Sequence, residues 1–183
     1  MKPILFPSFI LLLLVSCKKE IDKLPPITQS GANTFGCLLN ANAWVPGGSV
    51  DLFSNTYPTS GGFFGDSINT ISIYVSAYNG RDEIHIYLKH PAEVKTYFLN
   101  KNTLTYPYAV YPEASYGEYR KTDQFGNEEL YTTDSIHTGI VTVTRSDITN
   151  SIVSGIFQMQ LYQQSTGKTI NITDGRFDYK THI

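Results

Sequence analysis

The body of this 183-residue chain is nearly free of cysteine: Cys17 lies in the leader region, and Cys37 is the other one. A lone cysteine in the body permits no internal disulfide, so the fold must be held by its core. Cys37 sits in the apolar stretch Phe35-Gly36-Cys37-Leu38-Leu39 with no cationic neighbour to lower its pKa. That setting reads as a small buried residue and not as a reactive thiol. Charge is sparse and balanced, 14 Lys and Arg against 16 Asp and Glu. With no basic patch there is no footprint for phosphates, which excludes nucleic acid as a partner.

Catalytic and metal-binding patterns are missing as well. No serine has the strained Gly-x-Ser-x-Gly context of a hydrolase nucleophile. Of the four histidines, His85 and His90 are an odd number apart on one expected strand and face opposite sides, while His137 and His182 are isolated, so three convergent zinc ligands are not expected. Asp174-Gly175-Arg176-Phe177-Asp178 lacks the regularly spaced oxygens of a calcium loop and reads as a bulge with a surface salt bridge. Glu113, Glu118, Glu128 and Glu129 are nominal partners for glycoside hydrolysis, yet they lie in polar, turn-rich sequence with no apolar burial to raise a pKa. The expectation is therefore no catalytic residue, no metal and no cofactor, with an enzyme ranked last among the function classes.

One long apolar run is present, Ile4 to Val15, preceded by Lys2. It is shorter than the roughly 20 residues of a membrane-spanning helix, and Pro3 and Pro7 disturb it further. It ends in Leu14-Val15-Ser16-Cys17, which resembles the lipobox of bacterial lipoprotein precursors. The resemblance implies a signal peptide over 1–16, removal before Cys17, and acyl chains on Cys17 that fix the chain to a membrane. Removal of 1–16 takes one lysine away and leaves 13 basic against 16 acidic residues, a net charge near −3. Lys18, rather than aspartate, after Cys17 points to the outer membrane. Lys18-Lys19-Glu20 with Asp22 resembles surface-export signals, and whether the protein faces the periplasm or the cell surface stays open. Residues 17–33 combine charges, Pro25-Pro26 and small polar residues and read as a flexible tether. Residues 34–183 have the length of one domain.

After Cys17 no helical repeat of apolar residues is found, whereas period-two alternation recurs with tyrosine, threonine, isoleucine and valine. The domain is read as all-β. Ile71, Ile73, Val75 and Ala77 alternate with polar residues, as do Ile84, Ile86 and Leu88, on either side of Asn79-Gly80. A type I′ turn there pairs Val75 with Ile84, Ile73 with Ile86 and Ile71 with Leu88. Val153, Phe157, Met159 and Leu161 form a second apolar row that turns at Ser165-Thr166-Gly167 and returns through Ile170 and Ile172. The apolar phase then slips by one before Phe177 and Tyr179, which places a β-bulge at Asp174-Gly175. Weaker strands are expected at Thr34 to Leu39, Ala43 to Val45, Thr96 to Leu99, Tyr106 to Tyr111, Tyr116 to Thr122, Glu129 to Thr132 and Gly139 to Arg145. The total of roughly nine to eleven suits an antiparallel β-sandwich, with an up-and-down β-barrel around a ligand as the alternative.

Asn33-Thr34-Phe35-Gly36-Cys37-Leu38-Leu39-Asn40 leading to Trp44-Val45-Pro46, with Ser154-Gly155-Ile156-Phe157 and Ile172-Thr173-Asp174-Gly175-Arg176-Phe177-Asp178, resemble a family of small, functionally uncharacterised lipoproteins of Bacteroidota-type bacteria. That resemblance implies an outer-membrane-anchored β domain and supplies no activity and no functional residues. Asp66-Ser67-Ile68 and Asp134-Ser135-Ile136 match the acceptor pattern for O-linked glycans in such bacteria, making Ser67 and Ser135 candidate acceptors; turn chemistry by aspartate and serine is the plainer account. Six of the 13 tyrosines fall between Tyr106 and Tyr131 among prolines and glycines. Tyr108, Tyr111, Tyr116 and Tyr119 are the expected binding surface for a glycan or a protein, because tyrosine couples a flat apolar ring to a polar tip. Capping of the open end of the core is the competing role for these rings. The function expected is thus a non-catalytic binding module of the cell envelope, with a structural envelope component as the alternative.

Overall fold

A computed structural model describes residues 19–47, 58–65, 71–101 and 114–181. Among these residues there are eleven strands and one short 3-10 turn at Glu20–Lys23. The strands are β1 (Thr34–Leu39), β2 (Asn42–Trp44), β3 (Thr59–Phe64), β4 (Ser72–Asn79), β5 (Asp82–Leu88), β6 (Thr96–Leu99), β7 (Tyr116–Thr122), β8 (Glu128–Thr132), β9 (Gly139–Asp147), β10 (Ile152–Gln163) and β11 (Lys168–Lys180). They form one antiparallel sheet in the order β2-β1-β11-β10-β8-β7-β5-β4-β3, with β9 also on β10 and β6 on β9. The sheet curls so far that β3 packs back on β10 and β11, where Tyr179 lies over Gly61 and the Thr181 hydroxyl donates to the Gly61 carbonyl at 2.7 Å. The result is a half-barrel whose two sides face each other as the layers of a sandwich do.

Its inside is a filled core. Ile73, Val75, Ile84 and Ile86 from one side meet Leu99, Val141, Leu161 and Ile172 from the other, all essentially without solvent exposure. Cys37 is buried in the same cluster, and desolvation pushes its thiol up to about 12. Gly117 lets the interior close, since a Cβ there would run into the Met159 sulfur from the opposite side. The alternation that placed isoleucine and valine on one face therefore packs as a sandwich interior, not around a hollow.

The β4–β5 hairpin corrects the expected register by two residues. Ile73 pairs with Leu88, Val75 with Ile86 and Ala77 with Ile84, because Asn79 still pairs with Asp82 and the two-residue loop is Gly80-Arg81. Gly80 has φ +63° while Arg81 is not left-handed, so glycine takes the first turn position as in type II′ turns. A shift of two keeps every apolar residue on the inner face. The bulge near Asp174 is where the phase slip placed it: Gln158 opposes Thr173 and Asp174 between the pairs Phe157–Gly175 and Met159–Ile172, and Asp174 has φ +52°. β3 was not anticipated, since Thr-Ser-Gly-Gly-Phe-Phe carries no alternation. The strand expected at Tyr106 to Tyr111 lies outside the described residues.

The tether expectation also needs correction over most of its length. Leu24 is buried, and Pro25 packs on Gly36. Arg145 and Arg176 donate to the Gln29 and Pro25 carbonyls, and Glu20 accepts the Ala43 N–H at 2.9 Å. Asp178, 1% exposed, accepts from Thr28 Oγ1 (2.7 Å), Ser30 N (2.9 Å) and Oγ (3.3 Å), Gly31 N (2.8 Å), Ala32 N (3.1 Å) and Ser154 Oγ (2.6 Å). Composition pointed to free chain, but one buried carboxylate satisfies the amides of 30–32 and binds the segment down. Cys17 lies outside the described residues.

Candidate functional site

The register of β3, β4, β5 and β7 arranges their outer side chains in three rows. Tyr74, Tyr87 and Tyr116 form the first, Ser60, Ser76, His85 and Glu118 the second, and Tyr78, Glu83 and Arg120 the third. Outward positions on an antiparallel sheet are ordinarily wet. Here Ser72, Ser76, Glu83, His85, Tyr87, Tyr116 and Glu118 are all buried.

Buried polar groups need partners, and this cluster finds them in part as ion pairs, since Glu118 Oε1 makes no hydrogen bond. Ser76 Oγ and His85 Nδ1 are 2.7 Å apart, and the other ring nitrogen of His85 contacts the Glu83 carboxylate. Arg120 lies 3.9 Å from Glu83, 3.5 Å from Glu118 and 3.3 Å from Glu128, one guanidinium for three carboxylates. Burial alone would raise Glu83; the hydrogen bond and charge of His85, with Tyr78 and Arg120, hold it below its ordinary value. Glu118 goes the other way, raised chiefly by burial although His85 and Arg120 oppose the shift. Sequence context gave Glu118 no burial; it is 2% exposed.

Aromatic rings stand over this polar floor. Tyr87 stacks on Tyr116 at 5.7 Å, Phe64 meets Tyr87 at 5.5 Å and Tyr74 at 5.9 Å, and Tyr78 stands edge-on to His85 at 5.9 Å. Between them is a cavity of about 380 Å³ lined by Ser60, Phe64, Tyr74, Ser76, Tyr78, His85, Ile86, Tyr87 and Tyr116. A second hollow of about 430 Å³ adjoins it at Ser60 and Tyr74 and runs past Gly61 to Tyr179, Lys180 and Thr181. Both volumes are those of small-molecule sites.

The line Ser76, His85, Glu83 has the residue types of a nucleophilic relay. Ser76 nevertheless sits in the middle of a strand flanked by β3 and β5, where backbone N–H groups belong to the ladder and supply no oxyanion donor. The arrangement fixes the floor of the cavity. Among the described residues no three His, Cys, Asp or Glu side chains converge to hold a metal ion.

The tyrosines expected to form a surface divide. Tyr119 points into the core opposite Ile84, is buried, and donates to Asp82 at 2.8 Å; burial and then Asp82 raise its pKa. That corrects its assignment as an exposed ring, because its odd position on β7 faces inward. Tyr116 is buried too, but on the outer side, where it lines the cavity. Tyr108 and Tyr111 lie outside the described residues, as does Ser67. Ser135 is exposed, in a turn where Asp134 accepts the Ile136 and His137 N–H groups at 2.7 and 2.6 Å. The cavity residues Tyr74, Tyr78, Ser76 and His85 were missed; the available signal was the frequency of rings at the polar positions of β4 and β5, where lysine, threonine or glutamate is usual.

No helix among the described residues is long and apolar enough to cross a membrane. No curated protein and no solved structure matches the chain. A model for a domain family of unknown function, DUF6252, matches residues 66–180, the stretch that holds β4 to β11 and most of the cavity, and the chain belongs to that family.

Proposed function

We propose that this is a non-catalytic, glycan-binding lipoprotein of the bacterial cell envelope, held in the outer membrane by acyl chains on Cys17 and binding its ligand in the cavity on the outer face of β3, β4, β5 and β7. The observation that carries the binding reading is the cavity of about 380 Å³ lined by five aromatic side chains, two serines and a histidine. Sugars present apolar C–H faces and a rim of hydroxyls, which rings and short polar groups match together. The adjoining hollow suits a ligand longer than one ring.

The anchor reading rests on Leu14-Val15-Ser16-Cys17 at the end of a short apolar run. The docked segment gives it a geometric consequence. Only two residues, Lys18 and Lys19, separate Cys17 from Glu20, which accepts the Ala43 N–H, at most ~10 Å of chain, where a free tether over 17–33 would reach ~55 Å. The domain then rests close to the bilayer.

Two measurements test the two parts. Metabolic labelling with an alkyne fatty acid is expected to tag the wild-type chain and not Cys17→Ala. A glycan panel probed with the acylated protein is expected to give binding that Tyr74→Ala abolishes. Unlabelled wild-type protein refutes the anchor, and binding indifferent to Tyr74 refutes the site.

A further inference from the structure

On the side of the half-barrel away from the cavity, the outer face of β6, β9 and β10 is uncharged and partly apolar. The register lines up two rows across it, Thr96, Thr142 and Ile156 in one and Phe98, Ile140 and Gln158 in the other. Outward positions of an antiparallel sheet are ordinarily polar, and an edge strand is usually guarded by lysine or proline. Among the described residues β6 pairs only with β9, yet these six positions carry neither guard. Phe98 is 68% exposed, Ile27 60% and Ile156 39%. Ile27, Ile140 and Ile156 line one cleft of about 270 Å³, and Phe98 stands beside Ile140 on the neighbouring strand. Scattered exposed apolar residues are ordinary, whereas a contiguous group of them marks an interaction surface.

The path of the N-terminal segment identifies what this surface meets. The segment enters at β2, where Glu20 accepts from Ala43, crosses the outside of β1 with Pro25 on Gly36, and brings Ile27 to β9 and β10. On the anchor reading, on which this inference rests, the acylated Cys17 is within ~10 Å of Glu20. Glu20 in turn lies at the margin of the same face, three strand spacings or ~15 Å from β10. Charges around the surface balance: Asp174 and Arg176 frame the cleft, and Lys95 pairs with Glu93 just before β6. A headgroup layer of no net charge matches that margin.

We propose that the outer face of β6, β9 and β10 lies on the bilayer that holds the anchor, with Phe98, Ile27 and Ile156 at the boundary between zwitterionic headgroups and acyl chains. The buried apolar side chains add to the acyl chains as a second contact and fix an orientation that flexible lipid alone leaves free. The inner sides of β4 and β5 meet those of β9 and β10 across the core, so their outer sides point apart. The cavity is thereby turned away from the bilayer.

The test mixes the full chain, produced with its leader in bacteria and purified in detergent, into phosphatidylcholine vesicles whose acyl chains carry bromine, a quencher of tryptophan within the bilayer. Trp44 is buried in the core and gives a constant background. Phe98→Trp and Ile27→Trp, both at largely exposed positions, are expected to shift their emission to the blue in unbrominated vesicles and to lose most of it in brominated ones. Tyr74→Trp, on the opposite face, is expected to do neither. Flotation of the same samples on a density gradient reports the anchor separately, and Cys17→Ala is expected not to float. A chain that floats while Phe98→Trp and Ile27→Trp stay unquenched, or while Tyr74→Trp is quenched as strongly, overturns the orientation and leaves the anchor reading standing. Flotation of Cys17→Ala, with Phe98→Trp still quenched in that background, upholds the contact and overturns the anchor reading. A blue shift without quenching, in a chain that scatters light as a dimer, makes this face a contact between two copies and overturns the proposal. Failure of the wild type to float overturns both.

Discussion

Replacing Asp178 by asparagine keeps the shape of the side chain and removes its charge, and it tests whether one carboxylate fastens the N-terminal segment to the sheet. Six hydrogen bonds converge on it, five of them from residues 28 to 32. Burial alone would raise the Asp178 pKa, but the donors from Ser154, Thr28, Gly31 and Ala32 outweigh it and hold the carboxyl at about 2, down from 3.8. That difference corresponds to about 2 kcal/mol of stability. The folded value is depressed, so this stability is complete above pH ~4 and is lost as pH falls from there toward 2. Asparagine also turns an amide donor toward buried N–H groups, at about 1–3 kcal/mol more. The expected loss of about 3–5 kcal/mol lowers the melting temperature by roughly 10–15 °C in a domain of this size. Hydrogen exchange gives the local readout: the Gly31 and Ala32 amides are expected to exchange quickly in Asp178→Asn while those of β10 stay protected. If the variant melts within 2 °C of wild type and both amides stay slow, the carboxylate is not what holds the segment.

Other expectations follow from the same packing. Arg120→Met strands Glu83 and Glu118 in a buried setting and is expected to cost about 3–5 kcal/mol at pH 7 in urea unfolding; a buried carboxyl with a raised folded pKa costs stability as pH rises, so the deficit is expected to shrink toward pH 4.5. Gly61→Ala drives a Cβ into the Tyr179 ring, which cannot retreat because it stacks on Phe177 and donates to the Ser76 carbonyl, and it is expected to lower the melting temperature by roughly 5–10 °C. Gly80→Ala meets no atom within 4 Å and is expected to cost about 1 kcal/mol, from the left-handed backbone alone. Cys37, with its thiol near 12, is expected to resist Ellman's reagent at pH 8 in the folded protein; after denaturation an acylated chain releases one thiol equivalent, where an unmodified one releases two.

Much of the fold was readable because the interior is built from strict alternation. Ile73-Val75-Ala77 and Ile84-Ile86-Leu88 identified the inner face of β4 and β5, and the odd-to-even slip around Asp174 located the bulge. The site was hidden for a connected reason. With the turn placed at Asn79-Gly80, His85 would face Tyr74 and Glu83 would face Ser76; the true loop, Gly80-Arg81, brings His85 opposite Ser76 and Glu118 and completes the row. A two-residue shift leaves the hydrophobic pattern intact, so nothing in that pattern registers the error, yet it changes every polar pair. Nor does alternation say that the outer face of a sheet will be buried, which is what turns Glu83, His85 and Glu118 from solvated residues into a buried polar network beside the cavity. The docking of 24–32 was illegible for its own reason: its partner, Asp178, lies near the opposite end of the chain.

The proposed binding function resides in the outer cavity. The full chain and its Tyr74→Ala, Tyr78→Ala double variant, matched by melting temperature and far-ultraviolet spectrum, are to be compared on one panel of immobilised glycans. The wild type is expected to bind a subset of the panel, and the double variant to lose at least tenfold in affinity for every member of that subset. Equal binding by the two proteins, or none by the wild type, would contradict it.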